Sequence, residues 1–551
     1  MEQFSVGPHG ERFALPKPEE YAGEASRIAQ LAQAARERGL QVVVVLGVGF
    51  VGSVMAAVIA DSEREDTGDP QYFVIGCQRP SPRSYWKIPL LNRGIPPVSS
   101  EDPQIPTLIS RCVKERKSLV ATYDSTCLRL ADYVVVDIQC DYRKLELGDA
   151  RSGEAEMSAF EAAMRSIGQN VSSDCLVLIE TTVPPGTTEF VGYPIMKREF
   201  AKRGIESEPL LAHSFERVMP GREYVSSIRN FWRVCAGCNE ESRKRVESFL
   251  NQVLNTTDYP LTIMDRPIES ETTKIVENSY RATILAFMNE WSLFAERNGV
   301  DLIKVIDAIR MRPTHSNIMF PGPGIGGYCL PKDGALGYWA YKHILGFEDG
   351  DSFFRVTTQA IDINDTRGLH VAELTRDALR NMGRCIAGTP VLICGASYRE
   401  DVGDTRYSGS EIVVRKLAEM GADIRVHDPY VEHWHELENQ DQYPASGLSL
   451  KRFFRNQEQL GNLSVSHDLK AAAHGAEALI LAVRHKDYFD LEPDLVTQAA
   501  GGPIAIVDCF GILTDAKIRR YFELGCEVKA MGRGHVQRIK EMVRRRRSKD
   551  S

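Results

Sequence analysis

Residues 42–60 read VVVVLGVGFVGSVMAAVIA. The first half of this stretch is rich in β-branched residues and its second half in helix formers, with glycines between them. The run is nearly long enough to cross a membrane. The change of composition at the glycines instead predicts a buried strand, a tight turn and a helix. We therefore expect no membrane span here and an α/β domain built around this strand.

The turn, residues 47–52, reads GVGFVG and matches the G-x-G-x-x-G pattern. It follows a strand and opens a helix, so it predicts a dinucleotide site in which the pyrophosphate closely approaches the helix N-terminus. A glycine-rich packing turn without a ligand is the alternative. The predicted cofactor contacts in this turn are Gly47, Gly49, Phe50, Val51 and Gly52.

Gln78 departs from this pattern. An acidic residue usually ends the second strand and holds the adenosine ribose hydroxyls, but here the strand at 72–76 is followed by Cys77-Gln78-Arg79. Loss of the acid removes the main repulsion against a 2′-phosphate. The expected cofactor is NAD, and NADP is possible.

Alternating strand and helix patterns occur twice along the chain. The strand candidates are 42–46, 72–76, 133–138, 175–180 and 233–236 in the first part, and 391–395, 423–427, 478–483 and 504–507 in the second. Between the two parts, residues 267–298 carry no Pro or Gly from Ile268 to Asn298, which predicts one long helix. The predicted fold class is α/β, with two Rossmann-like doubly wound domains joined by a helical segment that contains a long central helix.

These patterns predict five segments. They are an N-terminal extension (1–40), a Rossmann domain (41–258), a central helical domain (259–383), a second α/β domain (384–543) and a basic tail (544–551). Residues 19–38 have helical composition and are expected to pack on the first domain. The run Arg544–Arg547 predicts a solvated, disordered tail. The apolar positions of the 267–298 helix predict a homodimer or higher homo-oligomer, unless the chain itself covers them.

Composition indicates an ordinary globular protein, with 43% hydrophobic and 26% charged residues. A net charge of −8 gives no argument for binding nucleic acid. The twelve cysteines are scattered and no signal peptide is evident, so a reducing, cytoplasmic location is expected. Cys235 and Cys238 form a CxxC without a second pair or nearby histidines, so no metal site is predicted.

Cys329 sits in an unusual frame, PGPGIGGYCLPKD at residues 321–333. Pro331 suits the first turn of a helix, which would place the thiol beside a helix N-terminus that favours thiolate. Lys332 adds positive charge and Asp333 offers a carboxylate. The frame therefore predicts a nucleophilic cysteine. The alternative is a buried structural cysteine in a glycine-rich turn.

Lys274 and Asn278 lie four residues apart in the long helix and so share a face. An ammonium and an amide side by side can stabilise an oxyanion. For an isolated pair, a solvated lysine beside a neutral neighbour would be the simpler interpretation.

Four further segments accompany the cysteine frame: ETTVPPGTT at 180–188, SFERVMPG at 214–221, KIVENSYRA at 274–282 and SYREDVGDTR at 397–406. Together with Gly532-Arg533-Gly534-His535, they resemble the UDP-glucose/GDP-mannose dehydrogenase family over residues 41 to about 536. The resemblance implies oxidation of a nucleotide sugar from C6 alcohol to C6 carboxylate with reduction of two dinucleotides. It implies a covalent thiohemiacetal and then a thioester on Cys329.

The resemblance also implies roles for single residues. Lys274 would stabilise or deprotonate the reacting oxygen, and Asn278 would donate a hydrogen bond. The residues implied for water activation and hydrolysis are Asp333, Thr182 and Glu216. Lys332, Arg406 and a basic residue at Lys87 or Arg83 would contact the cofactor. Arg399 and Gly326 would contact the substrate together with Lys274 and Asn278, and 384–543 would bind its nucleotide.

The chain departs from the family pattern at Gln78, at Ile138-Gln139-Cys140 and at Phe215, and its loop between Gly76 and Asn92 is longer than usual. UDP-glucose or a UDP-N-acetylhexosamine is the expected substrate. GDP-mannose oxidation, a 6-phosphogluconate-type β-hydroxyacid dehydrogenase and an inactive dinucleotide-binding scaffold are the alternatives. The second α/β domain and Cys329 count against the β-hydroxyacid dehydrogenase.

Overall fold

Two large sheets organise the chain in the computed structural model, which describes residues 3–98, 100–219, 221–438 and 448–550. The strands are β1 (Phe4–Val6), β2 (Arg12–Ala14), β3 (Gln41–Leu46), β4 (Tyr72–Cys77), β5 (Leu119–Thr122), β6 (Tyr133–Val136), β7 (Tyr142–Arg143), β8 (Glu154–Ala155), β9 (Leu176–Ile179), β10 (Leu210–His213), β11 (Val234–Gly237), β12 (Thr262–Ile263), β13 (Pro390–Cys394), β14 (Asp423–His427), β15 (Val465–Ser466), β16 (Ala478–Leu481), β17 (Ala505–Asp508) and β18 (Glu527–Ala530).

The helices alternate with these strands. They are α1 (Tyr21–Glu37), α2 (Gly52–Ala60), α3 (Lys87–Asn92), α4 (Gln104–Ser110), α5 (Ser158–Asn170), α6 (Tyr193–Lys202), α7 (Tyr224–Arg229), α8 (Glu240–Val253), α9 (Pro267–Asn298), α10 (Leu302–Arg310), α11 (Asp333–His343), α12 (Gly350–Phe353), α13 (Arg355–Asn381), α14 (Gly409–Glu419), α15 (His435–Glu438), α16 (Leu469–Ala473), α17 (Pro493–Ala500), α18 (Asp515–Glu523) and α19 (Val536–Asp550).

The described chain forms two compact units. One runs to Asp141 and also includes residues 155–275 and 339–348; the other comprises 142–154, 276–338 and the chain from Asp349 onward.

The first unit contains an eight-stranded sheet in the order β12-β11-β10-β9-β6-β3-β4-β5. Neighbouring strands are parallel except β10 and β11, which pair antiparallel. Val42–Val45 on β3 are fully buried, as is all of α2. Helices cover both faces of a parallel sheet, which is why β3 is apolar throughout rather than alternating.

The second unit contains a six-stranded parallel sheet in the order β15-β14-β13-β16-β17-β18. Counted along the chain from β13, this is the order 3-2-1-4-5-6 of a doubly wound dinucleotide fold. The strands around β3 in the first unit follow the same order. The predicted fold class is confirmed, and the predicted strands match the observed ones to within two residues at their ends.

The long helix and the helix of the N-terminal arm match their predictions, whereas the hairpin before that helix was not predicted. Residues 267–298 form the single helix α9, and the arm folds as α1 preceded by a β1–β2 hairpin. The expectation of a disordered basic tail is wrong: Arg544–Arg547 lie inside α19, where Arg547 donates to the Glu523 carbonyl, although their side chains are exposed. Within the described residues, no helix combines the length and apolar character needed to span a membrane.

Candidate active site

The glycine turn between β3 and α2 has the shape that a dinucleotide requires. A Cβ at Gly47 would lie 2.3 Å from the Asp137 carbonyl oxygen, and one at Gly52 would lie 2.0 Å from the Gly47 oxygen. Gly47 also has φ +106°, so these two positions must be glycine. A Cβ at Gly49 would meet no described atom within 4 Å. The turn is therefore closed against the protein and open above the N-terminus of α2, where a pyrophosphate fits.

The other two predicted contacts of this turn are fixed by packing. The Phe50 ring stacks on Tyr224 at 5.1 Å, and its carbonyl accepts a 2.6 Å hydrogen bond from the Tyr224 hydroxyl. Val51 immediately precedes α2. These contacts hold the backbone N–H groups of the turn in one orientation.

Gln78 follows β4 and is tied to the same turn. Its Oε1 accepts a 3.1 Å hydrogen bond from Val48 N–H, and its own N–H donates to the Thr122 carbonyl at 3.0 Å. Its Nε2 makes only a long contact, 3.5 Å to the Arg79 carbonyl oxygen. With Oε1 used by the backbone, this weakly engaged amide donor is the part of Gln78 that could turn to the adenosine ribose. A donor suits a phosphate oxygen as well as a hydroxyl oxygen. An acidic residue at this position would accept from the ribose hydroxyls but repel a 2′-phosphate.

Lys87 is the first residue of α3 and lies beside the turn, close enough to lower the pKa of Asp137. Burial nevertheless raises the pKa of Asp137 well above its ordinary value, and the nearby carboxylates of Glu180 and Glu216 raise it further. The raised pKa favours the neutral form of Asp137, a carboxyl group buried against the glycine turn. The sequence had left the choice between Lys87 and Arg83 open, and this proximity favours Lys87.

Glu180 is the first residue of the ETTVPPGTT segment, and its carboxylate is used in a structural ion pair. It forms a fully buried 2.5 Å ion pair with Arg233, which lies just before β11. Burial raises the pKa of Glu180, and the guanidinium of Arg233 opposes that rise. Thr182, two residues later, is half-buried.

Lys274 and Glu216 are brought together in the first unit. The Lys274 ammonium donates a 2.7 Å hydrogen bond to the Glu216 carbonyl oxygen and lies 5.4 Å from the centre of the Phe215 ring. Only 6% of Lys274 is exposed. The lysine is therefore not solvated, contrary to the simpler interpretation of the Lys274–Asn278 pair. The Glu216 carboxylate accepts from Val218 N–H. Phe215, a departure from the family pattern, supplies a cation–π contact to the ammonium.

Glu271 holds the Pro-Gly turn and was missed from the sequence. Its carboxylate accepts hydrogen bonds from Gly186 N–H (2.6 Å), Thr188 N–H (2.8 Å) and the Thr188 hydroxyl (2.6 Å). Burial raises its pKa to about 8 despite these bonds. Glu271 lies three residues before Lys274 on α9, so it links the turn that follows Thr182 to the helix that carries Lys274. A carboxylate on the lysine face of an apolar helix was the available signal.

Asn278, Asp333 and Lys332 form a second group, in the other unit. Asn278 Nδ2 donates to Asp333 Oδ2 at 2.7 Å, and Lys332 Nζ donates to Asp333 Oδ1 at 2.8 Å. Asp333 is fully buried. Its two oxygens are thereby engaged by one neutral and one cationic donor.

Cys329 lies four residues before the start of α11 and is half-buried. Pro331 was expected in the first turn of this helix, but α11 begins only at Asp333, so Pro331 lies in the turn that precedes it. Its carbonyl accepts from the N–H groups of Lys332 and Asp333 at 3.1 and 3.0 Å. A Cβ at Gly326 would lie 2.6 Å from Tyr398 Cβ, and Gly327 N–H donates to the Arg406 carbonyl at 3.0 Å. The cysteine loop therefore packs directly on the 398–407 loop.

The two predicted arginines of the 398–407 loop differ in their contacts. The Arg406 guanidinium pairs with Asp404 at 2.6 Å and lies 5.9 Å from the Tyr328 ring, while Lys332 lies 4.6 Å from the same ring. Arg399 has a buried Nε with no hydrogen-bond partner within the described part of the chain. An unsatisfied buried guanidinium N–H is costly and points to an absent acceptor.

Asp428 and His485 fix the start of this loop. Asp428 Oδ2 accepts from Ala396 N–H at 2.7 Å and from His485 Nε2 at 3.1 Å. His485 Nδ1 accepts from Asp401 N–H at 2.9 Å, which assigns the proton to Nε2. Burial raises the pKa of Asp428, but the hydrogen bond from His485 brings it below its ordinary value. The sequence reasoning missed both residues, although the Asp428-Pro429 strand end was a usable signal.

The twelve cysteines differ in how deeply they are buried. Nine of the twelve are buried, Cys238 and Cys329 are half-buried, and Cys385 is exposed. Burial also raises the pKa of Cys238 strongly, with the nearby carboxylates of Glu189 and Glu271 adding to the rise. Cys235 is buried in β11, so the CxxC is a strand end with packed thiols.

Known proteins resemble most of the chain. It is 24% identical over 385 residues to UDP-N-acetyl-D-mannosamine dehydrogenase of Pyrococcus horikoshii, covering 70% of this chain and 78% of the relative. It is 25% identical over 398 residues to NDP-N-acetyl-D-galactosaminuronic acid dehydrogenase of Ralstonia nicotianae, covering 70% and 83%. The crystal structure of NDP-N-acetyl-D-galactosaminuronic acid dehydrogenase from Methanosarcina mazei superposes with a TM-score of 0.69 at 27% identity, covering 93% of this chain and 98% of that one.

Three family models match consecutive parts of the chain. They are the NAD binding domain (residues 41–255), the central domain (268–366) and the UDP binding domain (392–515) of one family. With the glycine turn, the second doubly wound sheet and the cysteine loop in place, these matches assign the chain: it belongs to the UDP-glucose/GDP-mannose dehydrogenase family, a family of nucleotide-sugar dehydrogenases.

Proposed function

We propose that this protein is a UDP-sugar 6-dehydrogenase that oxidises a C6 alcohol to a carboxylate in two steps through a thioester on Cys329. The observation that carries the proposal is the cysteine loop. Gly326 and Gly327 place it against the 398–407 loop. Lys332 and Asp333 immediately follow it, and both Lys332 and Asn278 of α9 donate to the Asp333 carboxylate. A structural cysteine would need no such frame.

In the first step the C6 alcohol loses its proton and a hydride and becomes an aldehyde. Lys274, buried and held by the Glu216 carbonyl, stabilises or deprotonates the reacting oxygen, and Asn278 donates a hydrogen bond to it. The bound dinucleotide supplies the acceptor for the hydride.

In the second step the Cys329 thiolate adds to the aldehyde carbon and gives a thiohemiacetal. Loss of a second hydride converts the thiohemiacetal to a thioester. Water then attacks the thioester carbonyl, the C–S bond breaks, and the acid and the Cys329 thiol are released. Asp333, Thr182 and Glu216 are the groups that orient or deprotonate this water. In the balance, one alcohol, one water and two oxidised dinucleotides are consumed, and one carboxylate, two reduced dinucleotides and three protons are formed.

The nucleotide of the substrate is assigned to the second doubly wound sheet. In such folds ligands bind beyond the carboxyl ends of the strands where the strand order reverses. Arg399 follows β13 at that point, and its buried, unsatisfied Nε suits a diphosphate oxygen, which arginine binds well. The match of this region to a UDP binding domain supports UDP, and GDP is the alternative.

A UDP-N-acetylhexosamine is the favoured sugar. The relatives reported above act, by their names, on N-acetylated mannosamine and galactosamine derivatives. UDP-glucose is the second candidate. The cofactor is NAD, with NADP accepted if the Nε2 donor of Gln78 faces the 2′ position.

Purified protein assayed with NAD or NADP against UDP- and GDP-sugars tests the proposal. The expected result is two reduced dinucleotides per molecule of acid formed, with a UDP-N-acetylhexosamine as the best substrate. One reduced dinucleotide per substrate would favour a β-hydroxyacid dehydrogenase. Dinucleotide binding without turnover of any sugar would favour an inactive scaffold.

A further inference from the structure

The N-terminal extension lies outside the part of the chain that matches the family's NAD binding domain, which begins at residue 41. In the structure it is the β1–β2 hairpin followed by α1. Both parts contact the segments that flank Gln78. Ser5 is buried and Glu24 half-buried, while Arg27 is exposed.

The hairpin forms hydrogen bonds to the loop between β4 and α3. Ser5 is fully buried. Its hydroxyl donates a 2.9 Å hydrogen bond to the Pro82 carbonyl and accepts a 3.1 Å hydrogen bond from Trp86 N–H. One side chain of the extension therefore fixes two points of the loop that directly follows Gln78 and leads to Lys87.

Helix α1 forms hydrogen bonds to the last residues of β5. Glu24 Oε1 accepts a 2.7 Å hydrogen bond from the Thr122 hydroxyl, which is fully buried. Arg27 binds both oxygens of Glu24 at 2.8 Å and donates to the Ala121 carbonyl at 3.3 Å. These contacts fix the backbone of residues 121–122.

A continuous chain of hydrogen bonds then leads from α1 to the glycine turn. The Thr122 carbonyl accepts from Gln78 N–H, and Gln78 Oε1 accepts from Val48 N–H. The position of Gln78 thus depends on Thr122, and the position of Thr122 depends on Glu24. Tyr21 of α1 also contacts Tyr123, with ring centres 5.1 Å apart.

We propose that residues 3–37 are a clasp that positions the adenosine half of the bound dinucleotide. The physical reason is the missing acid. A carboxylate makes a strong, charge-assisted bond to the ribose, whereas the neutral amide of Gln78 makes a weaker one that depends more on geometry. A rigidly held amide recovers part of that affinity by pre-organisation. The inference rests on the proposed function only in requiring that a dinucleotide binds.

The test is direct titration of the full-length protein with NAD and NADP, together with steady-state kinetics. We expect Glu24→Ala and Ser5→Ala each to weaken dinucleotide binding by about fivefold, the effect of one lost buried hydrogen bond. The kcat at saturating dinucleotide and the KM for the nucleotide sugar should stay within about twofold of wild type. Glu24→Gln keeps an acceptor for the Thr122 hydroxyl and should restore most of the affinity.

Arg36→Ala is the matched control. Arg36 lies at the other end of α1 and donates to the Leu130 carbonyl at 2.8 Å, away from Gln78. This variant should lower the unfolding midpoint without changing dinucleotide affinity. If Arg36→Ala weakens binding as much as Glu24→Ala, or if Glu24→Ala and Ser5→Ala bind dinucleotide as tightly as wild type, the clasp is refuted.

The same data separate the two proposals. If wild type binds dinucleotide and the clasp variants bind it more weakly, but no sugar is oxidised, the proposed function fails and the clasp stands. If wild type makes acid and the variants bind dinucleotide normally, the clasp fails and the function stands. If wild type binds no dinucleotide at all, both are wrong.

Discussion

Cys329 depends on the shape of its loop as much as on its own chemistry. Gly326 has no room for a Cβ beside Tyr398, and Gly327 adopts φ +85°. Replacement of either glycine would force the loop away from the 398–407 segment. The thiol is therefore held by backbone packing, while the charged groups of Lys332 and Asp333 lie just after it.

Replacement of Cys329 by serine should abolish acid formation and leave nucleotide-sugar binding unchanged. Serine keeps the size of the side chain but is a far weaker nucleophile at neutral pH. Acid product and substrate affinity are the two measurements. Cys385→Ser, at an exposed cysteine, is the control and should behave as wild type. Normal acid production by the Cys329 variant would rule out the thioester mechanism.

Gln78→Glu should shift cofactor preference towards NAD. The new carboxylate can still accept from Val48 N–H, but it repels a 2′-phosphate at short range. We expect the ratio of NADP to NAD affinity to fall by about tenfold, equivalent to ~1.4 kcal/mol. The affinities are measured by titration, with Gln30→Glu at an exposed position of α1 as the control for added charge. An unchanged ratio would mean that Gln78 does not face the 2′ position.

Single residues show where sequence reasoning reaches its limit. Asn278 and Asp333 were both predicted as site residues. The structure joins them by a direct hydrogen bond, and their roles in the site stay predictions. Glu271, Asp428 and His485 were missed because their importance comes from backbone N–H groups distant in the sequence. Such partners follow from chain packing, which no local pattern encodes.

Secondary-structure elements are joined by polar contacts at their ends. His213, the last residue of β10, is fully buried, and its Nδ1 lies 2.9 Å from the Ser270 hydroxyl on α9. Burial lowers the pKa of His213 from 6.5 to about 3, and the Lys274 ammonium contributes to the shift. The folded protein therefore keeps this histidine neutral between β10 and α9.

This arrangement predicts a pH dependence of stability. Below pH 6.5 the unfolded chain protonates His213 and the folded chain does not, so stability is present above that pH and is lost as the pH falls towards about 3. The full effect is about 5 kcal/mol at ~1.4 kcal/mol for each pKa unit. His213→Gln should flatten the fall in denaturant midpoint between about pH 6.5 and 4. An equally steep fall in the variant would contradict this assignment.

The strands and helices themselves were the most predictable part of the molecule. The apolar run 42–46 indicates a strand, and the uninterrupted stretch 267–298 indicates one long helix. Both could be recognised from local composition alone. The four-residue strands β5, β10 and β18 were missed, although the equally short β6, β9 and β11 were predicted, so length alone does not account for the omission. The order in which strands pair depends on crossover connections, and it could be expected only from the general rule for parallel α/β sheets.

For the molecule as a whole, the outer face of α9 is its most conspicuous surface. Five large apolar side chains lie on it with spacings of four, seven, four and three residues, and between 43% and 59% of each is exposed: Val276, Tyr280, Phe287, Trp291 and Phe294. This spacing is typical of a helix seam that packs on another helix. A surface of this kind on a single chain marks an interaction site, and we propose that a second copy of the chain covers it.

Sedimentation or light scattering should accordingly give twice the chain mass for the wild-type protein. Trp291→Glu places a charge in the middle of the stripe and should shift the equilibrium to the monomer. Leu495→Glu, at a leucine of α17 that is 65% exposed, is the control and should remain dimeric. A monomeric wild type at working concentration would show that α9 is not a dimer interface.

Because the cysteines differ in burial, thiol labelling can measure how many protein molecules carry a competent site. An alkylating reagent applied to the native protein meets Cys385, Cys329 and Cys238, while the nine buried thiols are shielded. Because the pKa of Cys238 is strongly raised, its thiolate is scarce and it should be alkylated slowly. Mass mapping after brief labelling would then compare Cys329 with an internal standard, Cys385, in the same molecule. Protection of Cys329 by nucleotide sugar would measure the fraction of competent sites in any preparation.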